Sequence, residues 1–299
     1  MKVGLIGLGG IAQKAYLPVF SSRDDTEVVL CTRRDDILRD LSKKYRFSEY
    51  TTSVDALISS GIEAAFVHSA TEVHKEIAEK LLKSGIHVYV DKPLSYSFYE
   101  ALQLAELSQK VNRTLMVGFN RRFAPMFRKL KEEKTPEIII MEKNRLLELD
   151  DARRFIFDDF VHVVDTIRFL MGEDYDDISV NALHKDNKLH NIVLTLTNEN
   201  TTALGIMNRD SGITEETVEY MTSGRKLRVE DLTLTKEYEN GQKSLKGFND
   251  WDPTLYKRGF YQIVDEFLNS IKEGRTPSIP IEDSLKTHEV CEKAVRMIL

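Results

Sequence analysis

Over the first 118 residues, short apolar runs alternate with longer amphipathic stretches. Lys2–Ile6, Glu27–Cys31, Ala64–His68, Ile86–Val90 and Thr114–Gly118 read as strands. Between them, helical periodicity predicts helices from about Ile11, over Asp35–Tyr45, from a Thr71 cap to Lys83, and over Phe98–Val111. Gly85 is placed to stop the third of these. Ser97-Phe98-Tyr99-Glu100 has the form of a capping box opening the fourth. Strands that alternate with helices pair in parallel and are buried on both faces, which suits runs as continuously apolar as these.

After about residue 120 the pattern changes. Glu137–Lys143, Ile178–His184, Ile192–Thr197, Ala203–Asn208, Glu216–Met221, Lys226–Glu230 and Leu232–Tyr238 look like strands. The turns between them, Asp186-Asn187, Asn198-Glu199-Asn200, Ser223-Gly224 and Asn240-Gly241, are short enough for antiparallel hairpins. Helices are expected at about Asp159–Met171, Gly259–Lys272 and 283–297. Lys236–Phe248 is polar and reads as a mobile loop. The fold class predicted is an α/β Rossmann domain over 1–119, followed by an α+β domain over 120–299 with an open, mainly antiparallel sheet.

Composition narrows the functional classes. The chain has 299 residues, 41% hydrophobic and 30% charged, with net charge −6 and interspersed signs. That is a folded protein with neither the basic field nucleic acid needs nor an attraction to acidic lipid. No apolar run has the length of a membrane helix, and no secretory leader precedes the first strand, so a cytoplasmic location is expected. Cys31 and Cys291 can build neither a disulfide framework nor a cysteine metal site, and no cluster of ligand residues has metal-binding spacing.

Gly7-Leu8-Gly9-Gly10-Ile11-Ala12 fits G-x-G-x-x-A between a strand and a helix. The first glycine permits the tight turn, the second lets backbone approach a pyrophosphate, and the small third residue lets helix pack on strand. An NAD site places an acid after the second strand to hold the ribose 2′-hydroxyl. Here Thr32, Arg33 and Arg34 stand there instead. A guanidinium fork suits a 2′-phosphate, so NADP is expected in preference to NAD. Asp35 and Asp36 beside the arginines are expected to cap the next helix.

The glycine turn, Thr71-Glu72-Val73-His74, Val90-Asp91-Lys92-Pro93, Gly118-Phe119-Asn120-Arg121-Arg122-Phe123, Asp158 with His162-Val163-Val164-Asp165, and Pro280-Ile281-Glu282-Asp283-Ser284-Leu285-Lys286 occur in that order. Together they resemble the glucose–fructose oxidoreductase/inositol dehydrogenase (Gfo/Idh/MocA) family, and the Gly-Phe-Asn-Arg-Arg-Phe stretch is similar to its MviM-type members. The resemblance covers nearly the whole chain. It implies NAD(P)-dependent oxidation of a hydroxyl, or reduction of a ketone, on a sugar- or polyol-like small molecule. It also implies a homodimer or homotetramer formed through the second sheet, and a final helix that packs back on the first domain. Asp91 replaces the family's usual glutamate. Thr71 replaces a common proline. Phe160 replaces a common glycine, where a ring would narrow the substrate pocket.

Lys92 follows the fourth strand at its C-terminal end, the ligand edge of an open α/β sheet. There it can steady charge that develops on a substrate oxygen. At helical spacing Asp158, His162 and Asp165 share one face of an otherwise apolar helix. In this reading Asp158 orients the His162 imidazole, and His162 is the acid/base. Lys92, His162 and Asp158 are therefore the catalytic candidates. Asn120, Arg121 and Asp165 join them as candidate substrate contacts; Asp165 reads equally as a structural acid, and one of Arg121 and Arg122 as an interdomain ion-pair partner. Gly7, Gly9, Gly10, Ile11, Ala12, Thr32, Arg33, Arg34, Ser69, Ala70, His74, Asp91 and Lys92 are the expected cofactor contacts, with His74 either near the cofactor or structural. Trp251 and Tyr256 are possible pocket residues. Two readings without turnover stand beside the enzyme. A dinucleotide-binding regulator would not need Lys92, Asp158 and His162 together. An interaction protein would leave the glycine turn unexplained.

Overall fold

The computed structural model describes residues 1–299. They form two compact units: Met1–Gly118 with Ile263–Lys286, and Phe119–Gln262 with Thr287–Leu299. The chain thus changes unit one residue before the expected boundary and returns to the first unit near its end.

The first unit is built on a parallel sheet of β1 (Lys2–Ile6), β2 (Glu27–Cys31), β3 (Glu49–Thr51), β4 (Ala64–Val67), β5 (His87–Val90) and β6 (Leu115–Val117), in the order β3-β2-β1-β4-β5-β6. This is the doubly wound order, and β1 and β4, on either side of its switch point, are buried almost throughout. The sequence reading missed β3 and the short helix Val54–Ser59 after it. Glu49-Tyr50-Thr51 is a partly exposed edge strand with no apolar run to announce it.

Local rules set the helix ends, with two corrections. Gly85, at φ +77°, closes a Schellman turn: its N–H donates to Leu82 O and that of Ile86 to Leu81 O. Thr71 does not cap; it opens a single 3₁₀ turn, Thr71–Val73, ahead of the helix His74–Lys83. Ser97 stands at the N-cap but its hydroxyl caps nothing, and the capping box does not close: Glu100 accepts from Ser95 Oγ at 2.5 Å, and the Ser97 N–H donates to that same Oγ. Asp35 and Asp36 lie within the first turn of the helix Asp35–Tyr45 and help it through the helix dipole, with Arg34 in the capping position.

Tyr16, Phe20, Phe66, His68 and Tyr89 form an aromatic core beside β4, and Phe267 closes it, 5.1 Å from the Phe66 ring and 5.6 Å from Tyr89. Phe267 belongs to the helix Phe260–Glu273. The penultimate helix therefore completes this core. The last helix, Ile281–Ile298, gives residues 281–286 to the first unit and 287–298 to the second.

The second unit carries an eight-stranded sheet. Its strands are β7 (Ile138–Asn144), β8 (Asp177–Lys185), β9 (Lys188–Thr197), β10 (Thr202–Asn208), β11 (Glu215–Thr222), β12 (Arg225–Glu230), β13 (Leu234–Glu239) and β14 (Gln242–Lys246). The order is β14-β13-β12-β11-β7-β10-β9-β8, and every pair is antiparallel except β7 with β10. The segment expected to be a mobile loop, Lys236–Phe248, instead holds the β13–β14 hairpin. Asn240 and Gly241, both at positive φ, make its two-residue turn. Its exposed polar side chains hid the strand.

Burial alternates along β7, β9 and β10, so one face of this sheet is covered. The helix Val161–Met171 lies on that face over Gly205, where a Cβ would come within 2.8 Å of Val163 Cγ1 and 3.3 Å of Ile167 Cδ1. Phe160 occupies the same place, its ring 3.6 Å from that Cβ position and fully buried. The ring expected to narrow a pocket fills the core over a glycine.

Two predictions follow from this packing. Gly205→Val should lower the unfolding free energy by about 1–3 kcal/mol; an unchanged urea midpoint would contradict the close approach. The second concerns His68, which is 4% exposed and stacked 3.9 Å from the Tyr16 ring. Burial, with a smaller push from His74, lowers its pKa to about 3. Unfolded, it binds a proton near pH 6.5, so it favours the folded state above that pH and loses that contribution as the pH falls towards 3. Between pH 6.5 and 4.5 the loss is about 2–3 kcal/mol. His68→Phe should lose less stability than wild type over that interval by about this amount; parallel pH profiles would exclude it.

Candidate active site

The turn after β1 is shaped by two opposite requirements. Gly7 sits at φ +82°, and a Cβ there would lie 2.4 Å from Ser69 N, so only glycine fits. At Gly9 and Gly10 a Cβ would meet nothing within 4 Å. That open space faces the start of the helix at residues 10–21, whose first N–H groups have no partner within the helix. Backbone donors beside a glycine clearing fit a dinucleotide pyrophosphate. Ala12 is buried and lets the helix pack close, as expected. Across Ala12–Tyr16 this helix widens into a π turn.

A cavity of about 560 Å³ extends from the turn. Of the expected contacts, Gly7, Gly9, Thr32, Arg33, Arg34, Ser69 and Ala70 line it, whereas Gly10, Ile11, Ala12, His74, Asp91 and Lys92 do not. Thr52, Val54, His68, Val73, Glu76 and Ile77 line it and were missed. Thr52 and Val54 follow β3, the strand that sequence reading overlooked. The two arginines differ. Arg34 is tied to Asp36 at 2.6 Å, whereas Arg33 is exposed and makes no ion pair.

Beyond the cavity, His74 is buried, with Nδ1 2.9 Å from Pro93 O and Nε2 2.9 Å from Ser69 O. It ties the end of β4 to the turn after β5, a structural role of the kind expected as one alternative. Burial raises the Asp91 carboxyl, against Lys92, His74 and the Tyr16 hydroxyl, which donates to it at 3.3 Å. Tyr16 in turn lies 2.7 Å from the Tyr89 hydroxyl. Gly118 leaves room for both groups: a Cβ there would stand 2.7 Å from Tyr89 Oη and 3.2 Å from Asp91 Oδ1. Lys92 is part-buried and joined to Pro93 by a cis peptide.

In the second unit the candidate helix begins with a π turn, Phe155–Phe160. Asp158 and Asp159 both lie in that turn, ahead of His162 in the first turn of the helix proper. Asp158 is half-buried, and the next residue, Asp159, turns to the sheet. Lys143 Nζ donates to Asp159 Oδ1, and Arg145 Nε to Oδ2 at 2.8 Å. Burial alone would raise the Asp159 carboxyl, but these cations hold it far below the usual range. Burial pushes the Lys143 ammonium down to about 7, against the pull of Asp159. His162 is 9% exposed on the next turn.

Asp165 accepts from Arg122 Nε and NH2 and from Thr287 Oγ1, and its side chain is 2% exposed. The geometry supports its structural alternative over a substrate contact. Arg121 forms a bidentate pair with Glu216 at 2.6 Å, and Asn120 Nδ2 donates to Arg258 O at 2.8 Å. The ion pairs Arg121 with Glu216 and Arg122 with Asp165 both lie within the second unit. Trp251 is 95% exposed. Sequence reading missed Lys143, Asp159 and Glu216, although parity held the signal. Lys143 follows Ile139 and Met141 on the covered face of β7, and Glu216 precedes Val218 and Tyr220 on that of β11.

Comparison with known proteins agrees with this architecture. Residues 1–119 match the family model GFO_IDH_MocA, described as an oxidoreductase family with an NAD-binding Rossmann fold, and residues 125–240 match the YceM-like C-terminal domain. YceM of Salmonella typhimurium is 33% identical over 98% of this chain and 96% of its own. The crystal structure of the dehydrogenase MviM from Clostridium difficile superposes with a TM-score of 0.95 at 35% identity, covering 99% of both chains. Myo-inositol 2-dehydrogenase of Thermotoga maritima is 25% identical over 95% of this chain and 92% of its own. With a relative 33% identical over 98% of this chain, and the family model matching residues 1–119, the chain belongs to the Gfo/Idh/MocA family of NAD-binding oxidoreductases.

Proposed function

We propose that this oxidoreductase is an NADP-preferring dehydrogenase or reductase acting on a CH–OH group, or its carbonyl, in a small polyol- or sugar-like molecule. The observation that carries the cofactor preference is Arg33, a guanidinium on the wall of the dinucleotide cavity that is engaged with no carboxylate. An ordinary NAD site would hold an acid near that position, and an acid would repel a 2′-phosphate. The similarity to a myo-inositol 2-dehydrogenase supports the hydroxylated substrate class.

In this reading the glycine turn holds the pyrophosphate, Thr32 and Arg33 hold the adenosine ribose and its phosphate, and the bound nicotinamide supplies the hydride chemistry. Lys92 donates to the substrate oxygen and stabilises charge that builds there. His162 takes or returns the hydroxyl proton. Asp158 is its orienting partner. Asp91, held by Tyr16, keeps a carboxyl beside Lys92. The regulator reading is the weaker one, because a sensor of dinucleotide needs neither Lys92 nor His162.

We also propose a homo-oligomer joined through the open face of the second sheet, in the cytoplasm. The centre of that face carries Ile140, Val193, Leu204 and Ile206, apolar and only half covered. No helix is long and apolar enough to cross a membrane.

Lys92→Ala and His162→Ala should each reduce kcat by about 10²–10⁴-fold while the NADPH dissociation constant stays near wild type. Steady-state assays with a polyol and keto-sugar panel, paired with fluorescence titration of the cofactor, check this; unimpaired turnover in either variant removes that residue from the mechanism. Arg33→Asp should swing the NADP/NAD affinity ratio towards NAD by about tenfold or more, the consequence of exchanging a phosphate donor for a repelling charge. An unaltered ratio would exclude the 2′-phosphate assignment.

A further inference from the structure

The strand register of the second unit gathers charge at one corner of the covered face. Lys143 and Arg145 lie at the C-terminal end of β7 and just beyond it, in step with Ile139 and Met141. Parallel β10 brings Arg209 to the same end, in step with Ala203 and Met207. Antiparallel β11 places Glu216 opposite Lys143. Asp159 closes the corner from the helix, one turn before His162.

Most of these charges are paired off. Arg121 takes Glu216, and Lys143 and Arg145 share Asp159. Arg209 is different. It is 9% exposed, its NH2 reaches only Glu148 at 3.3 Å, and its Nε and NH1 are buried with no hydrogen-bond partner. Its guanidinium lies 5.1 Å from the Phe155 ring, a contact that orients the plane without satisfying those two donors. A buried guanidinium with idle donors is costly to keep. The corner also holds one more cation than carboxylate.

We propose that this corner is an oxyanion subsite, and that the substrate carries a carboxylate or phosphate group received by Arg209 together with Arg145. The fork of Arg209 suits either anion, because both offer paired oxygens to parallel N–H donors. Lys143 supports the subsite from beneath, sharing Asp159 with Arg145. The inference rests on the reading that His162 acts on the substrate, since it assigns the corner one turn away to the same molecule.

The test is thermal melting of the NADP-saturated protein in acetate and in inorganic phosphate, each against chloride at equal ionic strength. At about ten times its dissociation constant the preferred anion should raise Tm by about 2–4 °C. A rise in phosphate alone assigns a phosphoryl group, and a rise in acetate alone a carboxylate. Arg209→Leu should abolish the rise, and Arg145→Gln should reduce it. Both variants should bind NADP as wild type does, and Arg209→Leu should melt no lower than wild type, because it removes unsatisfied donors. No rise with either anion, or an undiminished rise in Arg209→Leu, overturns the subsite. NADP binding and turnover of neutral polyols alongside such a result would leave the oxidoreductase reading standing. Anion protection that depends on Arg209, in a protein with no affinity for NADP, would instead remove the dinucleotide reading and keep the subsite.

Discussion

The first unit depends on the contact between Gly7 and the backbone at Ser69. The chain leaving β1 passes so close to the chain leaving β4 that no side chain fits between them. That approach fixes where both strands release the chain, at the switch point of the sheet. Everything placed nearby follows from it: the clearing at Gly9 and Gly10, the cavity wall at Ser69 and Ala70, and the helix in which His74 bonds back to Ser69 O. The second unit repeats the device. Gly205 withdraws from the covered face, and the helix with His162 settles into the space. In each unit a missing Cβ sets the distance between a strand and the element that carries chemistry.

Much of this was legible in sequence because local rules and global fold agree. The G-x-G-x-x-A turn, the alternation of strand and helix, and the hairpins with glycine or asparagine turns all state their geometry within a few residues. What stayed hidden did so for physical reasons. β3 and β14 are edge strands with polar or exposed side chains, so they lack the apolar run that marks a buried strand. Thr71 and Ser97 sit at sensible capping positions, but neither side chain caps, and Glu100 accepts from Ser95 instead of closing a capping box. Nothing in the local spacing marks Asp159 as the carboxylate that meets Lys143 and Arg145, because those cations come from a distant stretch of chain.

The candidate site shows the same division. The glycine turn and Arg33 could be read one after another along the chain. The charged corner could not, because Lys143, Arg145, Asp159, Arg209 and Glu216 come from four separate stretches that only strand register brings together. All but Asp159, which lies in the turn that opens the helix, were visible singly as a charge on the inward parity of a strand, or beside one. Such a residue is expensive in an apolar layer unless partners arrive from elsewhere, and which partners arrive is a property of topology.

The sheet of the second unit is open, so it ends in two unpaired borders, β8 and β14. Such borders invite further strands from other molecules. Here β14 carries Lys243 and Lys246, and β8 ends at Lys185 after a register slip between Leu183 and His184. Positive charge and an irregular margin discourage strand-by-strand growth while leaving the half-apolar face untouched. The sheet thereby resists lengthening into a continuous ribbon at either border.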